Sequence, residues 1–298
     1  MVRKSIHAGA DMTQIRKMER SDIPGAFELI DRERWGWEQR HIERILSRDE
    51  ESSLVACENG EVTGVLTALR YGGLAFIAHL VIESDSRGAG LGPVLLSEAL
   101  DNMLSNEVKR IELFSNMDVI DFYVKYGFQS IEELTFFTLE QRSPENGLVT
   151  DDGLPDLIRL ELDQDEKNSV ARTERILGYG EEQMLRILEN DPPDITSLLT
   201  MDKKIQGFLI GYTVDSYTDL GPWIVDLSQM HRSDGMLSSI ISALPGNRFD
   251  IGVSSDNSFV LDMISKFGFE PNDRVMRMAL SNPRPEPYPS NVISPPMF

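Results

Sequence analysis

Apolar positions in the first half of the chain follow two spacings, and the switches between them mark the elements. Thr13–Met18 reads as a strand. Ser21-Asp22-Ile23-Pro24 carries the signals of a helix start: a capping hydroxyl, an acid in the first turn and an early proline. Ala26, Phe27, Leu29 and Ile30 then share one helical face, and Ile42, Ile45 and Leu46 form the face of a second helix. Ser53–Glu58 and Glu61–Tyr71 are strands about an Asn59-Gly60 turn, and Gly72-Gly73 folds the chain back into Leu74–Ile82. That strand is mostly apolar, interrupted only by His79, as in a buried central strand. A polar loop, Glu83–Ser86, and a glycine-rich one, Arg87–Gly92, lead to a helix with Val94, Leu95, Leu96, Ala99, Leu100, Met103 and Leu104 at helical spacing. Arg110–Phe114 is the next strand.

A glycine-rich turn between a buried strand and a helix start has a definite chemistry. The first amides of a helix lack internal partners, and the helix dipole adds partial positive charge there. Glycines let the backbone approach a phosphate, so the turn reads as a cradle for a pyrophosphate, with Arg87 as a cation at its rim. The competing reading is a turn with no ligand. The sequence R-G-x-G-x-G lacks the Lys-Ser/Thr of a P-loop, and its glycines are not spaced as in the dinucleotide fingerprint.

The segment Leu80–Gly92, LVIESDSRGAGLG, resembles the acyl-coenzyme A loop of the GNAT superfamily of N-acetyltransferases, with Ser84 where that family usually has proline. A second segment agrees with it: Asn116, Tyr123, Gly127 and Phe128 stand at the family's offsets, with Val119 at its usual alanine. The resemblance implies an α/β (α+β) fold whose sheet is mixed, largely antiparallel, twisted and flanked by helices. It also implies transfer of an acyl group, usually acetyl, from acetyl-CoA directly to a primary amine, with no metal. Leu80, Val81 and Ile82 would then pair with the pantetheine arm, and Arg87, Gly88, Ala89, Gly90, Leu91 and Gly92 would hold the pyrophosphate. Asn116 would steady the arm, and Tyr123 would be the general acid. Trp35 and Trp37, between the first two helices, would line the acceptor pocket; core packing is their equal alternative. For the base, His79 has a suitable intrinsic pKa, although a lone histidine in an apolar strand is more often a core residue; Glu83 is the other candidate, with a solvated surface acid as its plainer reading.

The second half echoes the first. Lys204–Leu209 repeats Glu61–Leu66 at an offset of 143, and Asn257 and Phe267-Gly268-Phe269 repeat Asn116 and Tyr126-Gly127-Phe128 at 141. The expected organisation is a flexible lead over 1–12, a catalytic unit over 13–142, a degenerate GNAT-like unit over 150–280 and a proline-rich tail over 281–298. In the second copy the phosphate loop reads Gln229–Met236, with one glycine and Asp234, and Ile264 replaces Tyr123. No coenzyme is expected there. The tail holds six prolines, with Val292-Ile293 and Met297-Phe298 as apolar points for docking.

Composition narrows the partners. A net charge of −20, shared as −8 over residues 1–142 and −12 over 143–298, disfavours nucleic acid and anionic membranes. It suits a cationic acceptor, a small-molecule or peptide amine, though solvated surface acid is the plainer reading. One cysteine, Cys57, excludes an intrachain disulfide, and with no apolar run of spanning length a cytoplasmic enzyme is the expectation. A non-catalytic acyl-CoA-binding regulator and a protein-binding scaffold are the alternatives. The acceptor's identity and the oligomeric state are not legible in the sequence.

Overall fold

The computed structural model describes residues 5–7, 12–140, 158–173, 177–178, 180–214 and 217–294. Two compact units are distinguishable: one takes in Met1–Phe114 with Leu280–Asn282, the other Ser115–Ala279 with Pro283–Met297.

In the first unit the strands run in the order β1 (Ser5–His7), β2 (Met12–Lys17), β3 (Leu54–Glu58), β4 (Glu61–Tyr71), β5 (Leu74–Ile82) and β6 (Arg110–Asn116). Neighbours are antiparallel except β5 and β6, which are parallel because helix α3 (Leu91–Ser105) crosses between them. The lead expected to be flexible over 1–12 carries β1, which covers the free backbone edge of β2; its other residues up to Asp11 lie outside those described. Helices α1 (Ile23–Arg32) and α2 (Gln39–Arg48) bury Ala26, Leu29, Ile30, Ile42 and Leu46 against Val55, Val65 and Val81. On the other face of β4, Gly64 lets Ile82 and Leu95 in: an added Cβ would lie 2.9 Å from Ile82 and 3.1 Å from Leu95. That close approach holds the end of β5 against α3.

The second unit repeats this element order. Strand β8 (Ile158–Arg159), α5 (Gln164–Thr173), α6 (Glu181–Asn190), β9 (Ile195–Met201), β10 (Lys204–Val214) and β11 (Tyr217–Val225) are followed by α7 (Ser233–Ala243), β12 (Arg248–Ser254), α8 (Ser258–Lys266) and β13 (Glu270–Leu280). Two further elements, α4 (Ile120–Val124) and β7 (Gln129–Glu140), end the first repeat by sequence yet are counted with this unit. The reason is pairing: β7 runs between β12 and β13, antiparallel to both. By compactness the chain thus divides at 114/115, inside the first sequence repeat. The tail is anchored here. Arg277 and Glu132 form a buried ion pair at 2.8 Å, the Tyr288 ring lies 3.6 Å from the Arg277 guanidinium, and the Tyr288 amide donates to Glu132 at 2.8 Å. Beyond it, β14 (Val292–Ser294) pairs with β11, so the described part of the tail docks through Val292-Ile293. No helix among the described residues is long and apolar enough to cross a membrane.

Asp49 is the polar anchor between α2 and β4. It accepts from the Arg70 amide at 3.0 Å and Nε at 2.8 Å, from Ser52 Oγ at 2.6 Å and from the Glu51 amide at 3.0 Å. Burial alone would raise its pKa, but these donors hold it below the usual 3.8. A depressed carboxylate pKa stabilises the fold above the unfolded-state value, and that contribution is lost as pH falls through the folded-state value. Asp49→Ala is expected to lower unfolding free energy by about 3 kcal/mol at pH 7, with the loss shrinking as pH is taken below the usual carboxylate range, in urea titrations over a pH series.

Candidate active site

The strands β5 and β6 stay paired for four residues, Leu74–Ile77 against Arg110–Leu113, and then part. A bulge at Ala78 marks the same point on the other side of β5: Ala68 faces Ile77, but Thr67 faces His79. From Ala78 to Ile82, β5 has β4 on one edge and, among the described residues, no paired strand on the other. Val81 packs inward among α1 and α2 residues, while Leu80 and Ile82 are half-buried. The open edge therefore offers backbone donors and acceptors to an extended ligand.

The loop after β5 is fixed at both ends. The Glu83 amide donates to Thr63 at 2.9 Å, and Arg87 Nε donates to the Ile82 carbonyl at 2.9 Å. Glu83 is paired with Arg32 at 3.0 Å, and Arg87 with Glu33, so the C-terminal end of α1 grips the loop twice. Gly88 and Gly90 have φ of +82° and +84°, and a Cβ at either would meet nothing within 4 Å. Glycine is thus required by conformation while the space above remains free. Helix α3 begins at Leu91. Gly90 is its cap and no side chain caps it. The Leu91 and Gly92 amides are left for an outside acceptor. The residues fit a diphosphate.

His79 is enclosed. It is 1% exposed, its Nδ1 lies 2.6 Å from Thr67 Oγ1, and its Nε2 has no hydrogen-bond partner. Trp35 stacks on its ring at 6.2 Å and Trp37 meets it edge-on at 4.7 Å. Both indoles are half-buried and also lie against the α1/α2 core, so packing, the alternative raised by the sequence, is part of what they do. Burial, helped by nearby His41, lowers the His79 pKa to about 3. The ring is neutral at physiological pH and shielded from solvent. The sequence reading missed Thr67, because an unbulged hairpin would set Leu66 opposite His79. It also missed Arg32 as the partner of Glu83.

In the second unit, Tyr123 is buried on α4 between Phe122 and Phe128, with ring centroids 5.0 and 5.8 Å away. Burial raises its pKa to about 12. It keeps its proton at neutral pH and can act as an acid. Asn116 lines an open cleft of about 510 Å³ with Asp118, Thr135, Asp273 and Arg274. Arg274 is paired with Glu133 at 3.3 Å. Among the described residues no cluster of three or more His, Cys, Asp or Glu is arranged for a metal.

Residues 13–128 match the acetyltransferase (GNAT) family. The match takes in β2 through Phe128 and so includes the parted strands, the glycine loop, Asn116 and Tyr123. An uncharacterised N-acetyltransferase, ycf52, of Pyropia yezoensis is 30% identical over 100 residues, 31% of this chain and 58% of that protein. The chain thus spans little more than half the length of that GNAT relative. A Pyrococcus horikoshii structure superposes with a TM-score of 0.71 at 17% identity, over 94% of this chain and 92% of the other. A tandem GNAT protein from the clavulanic acid biosynthesis pathway gives 0.54 at 14%, over 76% and 82%. These likenesses establish the mixed α/β GNAT fold.

The enclosure of His79 makes a pH prediction. The unfolded chain takes up a proton near pH 6.5, whereas the folded ring stays neutral until about pH 3. Acidification from pH 7 to pH 5 should therefore destabilise the protein through this residue. NMR titration is expected to show no protonation of His79 between pH 5 and pH 8, and His79→Gln to flatten the stability slope over that range.

Proposed function

We propose that the chain is an N-acetyltransferase that passes an acetyl group from acetyl-CoA to a primary amine of a small molecule or peptide, in a soluble cytoplasmic setting. The observation that carries this reading is the parted edge of β5 running into an uncapped, glycine-lined helix start. Acetyl-CoA supplies the activated acyl group as a thioester. The amides of Gly88–Gly92 and the Arg87 guanidinium bind its diphosphate, and Leu80, Val81 and Ile82 align its arm along the strand edge. Asn116 steadies that arm. A protonated amine must lose a proton before it attacks. Glu83 reaches solvent and His79 does not, so Glu83 takes that proton directly or through water. His79, enclosed by Trp35 and Trp37, is closed off from that step in this arrangement. Tyr123, still protonated at neutral pH, gives its proton to the departing sulfur. In this proposal residues 13–142 form the catalytic half and 150–280 a degenerate GNAT-like half, with Ile264 where Tyr123 would stand.

The sealed His79 favours a second reading, a protein that binds acyl-CoA as a regulator without turning it over. Release of free coenzyme A over an amine panel separates the two: amine-dependent release supports the enzyme, and tight binding without release supports the regulator. Gly90→Glu, which puts a carboxylate in a φ-positive position of the cradle, is expected to abolish acetyl-CoA binding in calorimetry. Tyr123→Phe is expected to lower kcat at least about tenfold with acetyl-CoA affinity unchanged. Unchanged turnover would remove Tyr123 from the mechanism.

A further inference from the structure

The second unit contains a counterpart of the parted strands, and it is filled. At the repeat offset, Leu74–Ile77 of β5 corresponds to Tyr217–Leu220 of β11. The parallel pairing is reproduced: Tyr217–Leu220 lie against Arg248–Ile251 of β12, and pairing ends there. Among the described residues β5 has only β4 and β6 as neighbours, whereas β11 has a third, β14. Trp223 pairs with Ser294 and Ile224 with Val292, at positions matching Leu80 and Val81. The Val225 amide donates to the Asn291 carbonyl at 3.0 Å, and Ser294 Oγ to the Leu220 carbonyl at 3.1 Å. Val292, Ile293 and Ser294 are all buried, and Ile293 joins a core with Trp223 and Phe249. The chain's own main chain thus occupies the edge that the proposed function gives to the pantetheine arm in the first unit.

The adjoining turn is also satisfied internally. Asp226 accepts from the Ser228 amide at 2.9 Å, and Asp234 from the Gly235 amide at 2.8 Å. Carboxylates stand where a diphosphate would need free donors.

We propose that the gap between β11 and β12 is a binding site for an extended peptide strand, filled in cis by residues 291–294, and that this strand excludes coenzyme from the second unit. The exclusion rests on the coenzyme reading of the first unit; the strand site does not. The buried ion pair of Arg277 and Glu132, with Tyr288 on it, tethers the strand and keeps its local concentration high.

The full-length chain carrying Val292→Asp and Ile293→Asp tests this. Hydrogen exchange at the Val225 amide is expected to be at least tenfold faster than in the unaltered chain. A synthetic peptide of residues 287–294 is expected to bind the substituted chain one to one and restore the protection, and not to bind the unaltered chain. Ser294→Ala removes one hydrogen bond and leaves the core in place, and should speed Val225 exchange about fivefold. Val225 exchange unchanged in both variants, or a peptide that fails to bind, would overturn the strand site. Acetyl-CoA should saturate the unaltered chain at one equivalent, with Trp223–Val225 exchange unaffected; two equivalents would overturn the exclusion. No binding of acetyl-CoA would count against the reading of the first unit alone, since the peptide measurement uses no coenzyme.

Discussion

Two parallel strands that part after four residue pairs leave backbone groups which must find partners elsewhere, and much of this protein's organisation follows from that requirement. On β5 the groups beyond Ile77 have no strand on one edge. A sheet edge open over the length of Ala78–Ile82 is either a liability or a site. The bulge at Ala78, the close packing at Gly64 and the tether from the Arg87 guanidinium to the Ile82 carbonyl hold it in one shape. Rigidity in an otherwise unpaired edge is what preorganised recognition of a ligand demands.

Charge around the loop is arranged to be exchanged. With a net −20 the chain as a whole repels an anion, so the first unit needs local cations. Arg87 and Arg32 supply them, and each is held by an acid, Glu33 and Glu83. Under the proposed function an incoming diphosphate would compete with Glu33 for Arg87, bringing two charges where Glu33 offers one. Both acids flank the Trp35–Trp37 loop or the end of β5.

Much of the fold was legible in the sequence because the decisive signals are local. Asn59-Gly60 and Gly72-Gly73 set both hairpins, and the apolar spacing of Ala26, Leu29 and Ile30 set α1. The glycine loop was readable for the same reason: φ-positive backbone between strand and helix admits few residues. What escaped depends on contacts far apart in sequence. The bulge at Ala78 leaves no mark in Leu74–Ile82, yet it decides that Thr67 and not Leu66 meets His79. The insertion of β7 between β12 and β13 joins residues more than a hundred apart, and periodicity says nothing about which edge a strand chooses. Burial of His79 was readable from its place in an apolar strand; that Trp35 and Trp37 are what enclose it comes from the path of a loop.

The second unit shows which constraints outlast the chemistry. Its core keeps the apolar positions of the repeat, with Trp223, Phe249 and Ile264 fully buried, because losing any of them would open a cavity of several kcal/mol. The loop equivalent to Arg87–Gly92 carries no such penalty, and it has lost two glycines and gained Asp234. The parted strands cannot drift in the same way. Four paired residues and a crossover helix fix the point where β11 leaves β12, so the gap persists whether or not anything binds in it. An unfilled gap would expose Trp223 and leave the Val225 amide without its partner. A short buried strand from the tail meets both needs at once.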